Sequence, residues 1–89
     1  MHPQTRAPGE RFTVVRWREG YAIEEVDAFV ERCFADLSRG AHGDLTAATV
    51  RDVRFTPRRF RAGYDMDEVD GYLDEVLTEL NRLRGPQTS

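Results

Sequence analysis

Slid along itself by 43 residues, the sequence lays residues 12–40 over residues 55–83 without a gap, and eleven of the 29 positions are identical. The identities include Phe12/Phe55, Thr13/Thr56, Arg16/Arg59, Arg18/Arg61, Gly20/Gly63, Tyr21/Tyr64, Glu25/Glu68, Val26/Val69 and Asp27/Asp70. Several of the differences are mild, with Phe29 over Tyr72, Val30 over Leu73 and Cys33 over Val76. A unit of this length cannot bury a core alone, so each copy needs a partner segment, either within the chain or from a second chain. At 89 residues the chain has room for that one modest core, or for a core shared with a partner chain.

Each copy reads in the same order. An extended stretch (residues 12–18 and 55–61) leads to a Gly-Tyr corner and then to an amphipathic helix. In the second copy Asp65 is placed to cap the helix, with Glu68 three positions on as in a capping box and Asp67 adding to the acidic first turn. The first copy has Ala22 in the capping place, so its helix start is less well fixed. Thr46 is placed to cap a short helix ahead of the second copy. The corresponding place before the first copy holds residues 1–10, with two prolines and a glycine, and reads as a flexible tail.

Val69, Leu73, Val76, Leu80 and Leu83 recur at spacings of four, three, four and three, the spacing of a coiled-coil seam. Val26, Val30, Cys33 and Leu37 repeat that phase in the first copy. Phe29, Phe34, Tyr72 and Leu77 widen each stripe, so the helices want more than one neighbour. The second helix spans about 28 Å and stops at Gly85-Pro86. The fold expected is mainly α. Two amphipathic, coiled-coil-type helices pack in parallel, each preceded by a short extended loop with a Gly-Tyr corner. The pairing is either a pseudo-dimer within the chain or a four-helix homodimer. Tails at residues 1–10 and 85–89 flank the repeats at 11–40 and 41–84, and the connector at residues 38–54 returns the chain to its starting end.

Every basic side chain apart from the two histidines is arginine, and between Arg51 and Arg61 five arginines face one acid, Asp52. The acids crowd instead into residues 24–36 and 65–79, and the formal charge is −3. Basic loops against acidic helices argue against nucleic acid as a partner. A single cysteine, Cys33, excludes an internal disulfide and suits a reducing cytoplasm. No apolar run is long enough to span a bilayer, so membrane contact is expected to be peripheral.

The second copy reads Leu45-Thr46-Ala47-Ala48, then Arg58-Arg59-Phe60-Arg61-Ala62-Gly63-Tyr64-Asp65-Met66-Asp67-Glu68-Val69-Asp70-Gly71-Tyr72-Leu73. This resembles the N-terminal domain of DivIVA, the division-site and pole-organising protein of Gram-positive bacteria, closely over residues 45–83 and more loosely over 12–37. The resemblance implies a tandem DivIVA-type repeat. In that family a parallel helical dimer follows crossed loops, and each loop exposes an aromatic residue beside a basic one, for lipid and phosphate respectively. The matching pair here is Phe60-Arg61, and Trp17-Arg18 lies over it in the first copy. No heptads follow Leu83, so the membrane-facing, dimer-forming end of such a protein is expected rather than a filament-building scaffold.

Trp17 and Phe60 also suit a core, as aromatics in small domains usually do. Their flanks favour an interface: Arg16 and Arg18 around Trp17, and Arg58, Arg59 and Arg61 around Phe60. The tyrosines of the corners read as covers for the helix starts, and Cys33 as a small apolar side chain in the stripe. Glu25, Asp27, Glu68 and Asp70 recur without a histidine beside them, since His2 and His42 lie in segments expected to be flexible. No metal, cofactor or catalytic constellation is expected, and the chain reads as a non-enzyme. The leading expectation is a cell-division or polar module that self-associates through its helices and touches anionic inner-membrane lipid, weakly per chain, at septum or pole. Division or envelope proteins are the implied protein partners. The alternative is a soluble adaptor whose arginine-rich loops bind an acidic partner.

Overall fold

The computed structural model describes residues 11–85. The tail assignments at residues 1–10 and beyond Gly85 lie outside the described residues. The chain order is β1 (Val14–Val15), β2 (Gly20–Tyr21), α1 (Ile23–Leu37), a single 3-10 turn (Gly40–His42), α2 (Ala47–Asp52), β3 (Pro57–Arg58), β4 (Gly63–Tyr64) and α3 (Met66–Arg84). The protein is thus small and largely helical, with three helices and a four-stranded antiparallel sheet in the order β1-β4-β2-β3.

The sheet corrects the expectation of plain extended loops. Two-residue strands are too short to leave an alternating pattern in sequence. They form because each supplies backbone partners that the other copy lacks. β1 pairs with β4 and β2 with β3, and the two inner strands meet at Tyr21↔Tyr64. No strand pairs within its own repeat. The 43-residue shift carries Val14↔Tyr64 onto Pro57↔Tyr21, carries Val15↔Gly63 onto Arg58↔Gly20, and maps the central pair onto itself. An approximate two-fold axis therefore passes between Tyr21 and Tyr64. β1 and β2 run in the same direction with β4 between them, so the four-residue link at 16–19 has to cross over, as does its counterpart at 59–62.

The helices begin as the caps dictate. The Asp65 carboxylate accepts from the Glu68 N–H, while Ala22 offers α1 no side-chain cap. Thr46 caps α2 by accepting from the Thr49 N–H. Gly85, at φ +76°, ends α3 in a backbone conformation that glycine adopts without cost.

Two apolar clusters form the core. Val26, Tyr64 and Val69 pack beside the sheet with Phe12, Val14 and Ile23. Further along, Phe29, Cys33, Val76 and Leu80 pack with Leu45 and Val50 from the segment around α2. The seam is therefore not that of two helices alone. Its lower half joins α1 to α3, and its upper half is shared with α2. Val26, Cys33, Val69, Val76 and Leu80 are buried, while Val30, Leu37, Leu73 and Leu83 are half-buried. The connector, expected as a simple return, instead builds structure: His42 lies in the 3-10 turn and α2 packs against α3.

Candidate functional site

The shared Gly-Tyr and Glu-Val-Asp residues join one copy to the other. Glu68 Oε1 accepts from the Thr13 N–H at 2.8 Å, and Glu25 Oε1 accepts from the Thr56 N–H at 2.7 Å. In the capping-box reading Glu68 would turn back on its own helix; here both glutamates clamp the extended stretch of the other repeat. Tyr64 Oη donates to Asp27 Oδ1 at 2.7 Å, and Tyr21 Oη donates to Asp70 Oδ1 at 3.2 Å. Asp27 also pairs with Arg11 at 2.9 Å. Phe12 meets Tyr64 edge-on, as Phe55 meets Tyr21 at a tilt. The carboxylates that sequence reading set aside as non-catalytic thus act as inter-repeat ties.

Gly20 and Gly63 are required for close approach. A Cβ on Gly20 would lie 2.7 Å from the Tyr64 carbonyl oxygen, and one on Gly63 would lie 3.0 Å from the Gly20 carbonyl carbon. Neither glycine has a positive φ. The two backbones cross where only hydrogen fits.

Beyond this crossing the loops carry the aromatic-arginine pairs. Trp17 is 89% exposed and Phe60 78% exposed. Phe60 also has φ +64°, the one positive φ on a non-glycine among the described residues. That conformation costs about 1–2 kcal/mol for an L side chain, and no burial of the ring offsets it. The arginines divide into two groups. Arg18 Nη2 binds Asp65 Oδ2 of the other repeat at 2.5 Å, and Arg58 Nη2 binds Glu24 Oε2 of the other repeat at 2.6 Å. Arg16, Arg59 and Arg61 are exposed and make no ion pair among the described residues. Of the seven residues expected at the tips, five are therefore presented to solvent and two are tied back to the acidic helix starts.

Local fields follow these contacts. The Thr56 backbone N–H and then its hydroxyl hold the Glu25 carboxyl below its ordinary range. The Glu68 N–H does the same for Asp65 against an opposing burial penalty, and Arg18 adds to the lowering. Burial pushes the Cys33 thiol up to about 11, which agrees with its expected place in the stripe. Burial likewise raises the Tyr72 phenol to about 12.

Sequence reading missed two features. One is a lock at the far end, where Arg84 pairs with Asp36 at 2.8 Å, each side chain 10% exposed. Asp36 Oδ1 also accepts from the Asp44 and Leu45 N–H groups. Burial would raise the Asp36 carboxyl, but these bonds outweigh it and hold it below its ordinary value. The second is an open groove of about 890 Å³ beside α1, with Phe34 half-exposed on its wall. The breadth of the α1 stripe was its only sequence signal.

Among the described residues no group of histidine, cysteine, aspartate and glutamate is placed to hold a metal, and no helix is long and apolar enough to cross a membrane. No family model, curated protein or solved structure matches the chain.

Proposed function

We propose that the chain is a DivIVA-like, non-enzymatic module that touches the cytoplasmic face of the cell membrane through its crossed loops and self-associates through its helices. In this reading α1 and α3 stand as a parallel, coiled-coil-like pair, a pseudo-dimer made by one chain. The observation that carries it is the pair of exposed aromatics, Trp17 and Phe60, at equivalent positions of two crossed loops. A two-fold axis puts equivalent points at the same height along itself, and in this reading one flat surface meets both tips at once. The strained backbone at Phe60 supports the reading, since strain kept without a packing reason marks a functional position.

The energies favour weak, multivalent contact. Each ring contributes roughly 1.5–3 kcal/mol when fully buried in acyl chains. Each of Arg16, Arg59 and Arg61 adds about 1 kcal/mol at an anionic surface. The acidic helices and the ordering of the loops subtract from that sum. A single chain holds lipid weakly, and several linked chains hold it usefully.

Co-sedimentation with phosphatidylglycerol-containing vesicles at low salt tests the reading. The wild-type chain is expected to pellet, and a Trp17→Ala/Phe60→Ala variant to stay in the supernatant with its helical circular dichroism intact. Wild-type chain left in the supernatant sinks the proposal. A second reading, an adaptor for an acidic protein, draws support from Arg16, Arg59 and Arg61, which are exposed and make no ion pair among the described residues. The lipid-only assay separates the two.

A further inference from the structure

The groove beside α1 has a twin. It is lined by Phe12, Val30, Phe34, Leu37 and Tyr72, with Glu79 at its end. Shifting these by 43 residues, and returning the α3 residues to α1, gives Phe55, Leu73, Leu77, Leu80, Phe29 and Asp36. The five apolar ones belong to the cluster that Leu45 and Val50 fill, with Val53 packed against it. The same apolar site thus occurs on both flanks of the α1–α3 pair. On one flank the α2 segment sits in it. On the other, no described residue does.

The filled twin shows what fits. Leu45 is 2% exposed and Val50 1%. The segment enters with the Asp44 and Leu45 N–H groups on the Asp36 carboxylate, and Thr46 caps the turn. At the open groove Glu79 stands where Asp36 stands. Its only ion pair among the described residues is with Arg82 three residues along the exposed face of α3, a pairing of little energetic weight. Glu79 therefore offers a negative charge to the positive N-terminal end of an incoming helix.

In sequence, residues 1–10 do not carry the α2 pattern. Residues 1–10 are the equivalents in sequence, but His2, Ala7 and Glu10 stand where Leu45, Val50 and Val53 do the filling, and Pro8 falls at the place of Arg51 inside α2. A second copy has its α2 already seated. We infer that the groove docks a short amphipathic helix of a partner protein built like α2: leucine just ahead of a threonine or serine cap, valine-sized residues five and eight positions later, its N-terminal end at Glu79. This does not depend on the lipid reading.

The probe is a capped peptide of this chain's own residues 43–55, titrated into the isotope-labelled full chain and followed by NMR. In a parallel arm the same segment replaces residues 1–10, so that tethering compensates for low free affinity. Shifts at Val30, Phe34, Leu37 and Tyr72 are expected in both arms, saturable with peptide in the first and present at every protein concentration in the second. Phe34→Asp is expected to weaken the peptide about ten-fold or more, Glu79→Gln less, and a Leu45→Ser/Val50→Ser peptide is expected to give no shifts. Phe34 is half-exposed, so the variant's unchanged melting curve serves as the folding control; Phe34→Ser replaces it if that curve moves. Silence in both arms overturns the inference. So does a dimer of the free chain that Phe34→Asp makes monomeric, which assigns the groove to a second copy. Groove shifts on deleting residues 1–10 alone assign it to the chain's own segment and equally overturn it.

Discussion

The base and the flanks of this molecule treat the two repeats differently. At the base three kinds of tie are made twice: glutamate to threonine backbone, tyrosine to aspartate, outer strand to inner strand. On the flanks only one copy has α2, and the wall facing it reads Leu73, Leu77 and Leu80 where the open wall reads Val30, Phe34 and Leu37. The shared glutamates, tyrosines, aspartates and glycines touch the other repeat. The divergent Leu73 and Leu77 belong to the cluster that α2 fills, which only one repeat possesses. A duplicated sequence thus keeps in common the ties that the two-fold axis repeats.

The flank difference is broken most directly at the twin leucines. Leu80 is fully buried under α2 and Leu37 only partly so. Leu80→Ala is expected to cost about 3–4 kcal/mol in urea unfolding and Leu37→Ala about a third of that. Equal losses would mean that the two flanks are energetically alike. The twin carboxylates come next. Asp36→Ala removes the carboxylate from Arg84, which keeps only carbonyl partners, and strands two backbone N–H groups; it is expected to cost about 3 kcal/mol. Glu79→Ala is expected to leave the midpoint where it is. Asp36 and Glu25 both have folded values below the ordinary carboxylate range. Their contribution is therefore complete above about pH 5 and is lost as pH falls through the unfolded and then the lower folded values. Melting temperature measured from pH 7 downward should drop in that window, and Asp36→Asn should flatten the drop. The base supplies the smallest effect. Gly20→Ala pushes a methyl against the Tyr64 carbonyl and is expected to destabilise by about 1–3 kcal/mol. Gly71→Ala, with open space at its Cβ, should stabilise α3 by roughly 0.5–1 kcal/mol.

The long-period signals were readable from sequence alone. The α3 stripe, the Asp65 and Thr46 caps and the Gly85 stop all lie where local chemistry puts them, because each is decided within a turn or two of helix. The extended stretches before the corners were readable too. Their pairing into a sheet was not, since two residues carry no period and the partner lies in the other repeat. The roles of Glu25 and Glu68 were hidden for the same reason: capping chemistry predicts a bond within the helix for Glu68, and the crossed chain instead offers each carboxylate a backbone N–H donor outside its own repeat. At the loops, the exposure of Trp17 and Phe60 needed coordinates, as did the diversion of Arg18 to Asp65 and of Arg58 to Glu24. The groove is legible only once α2 is seen filling its twin.

The crossed strands also set an order of events. Every strand pairing joins residues about 36 to 50 positions apart, from Tyr21↔Pro57 to Val14↔Tyr64. Closing such loops precedes any reward from the contacts they bring, which slows folding relative to a simple helical hairpin. During synthesis the first repeat emerges with its strands unpaired and the stripe of α1 uncovered, and it waits for Tyr64 before the sheet can close. In that interval the nearest match for its edges is the same repeat on a neighbouring nascent chain. The duplication that completes the fold within one chain therefore also makes the half-made chain a template for exchange with its siblings.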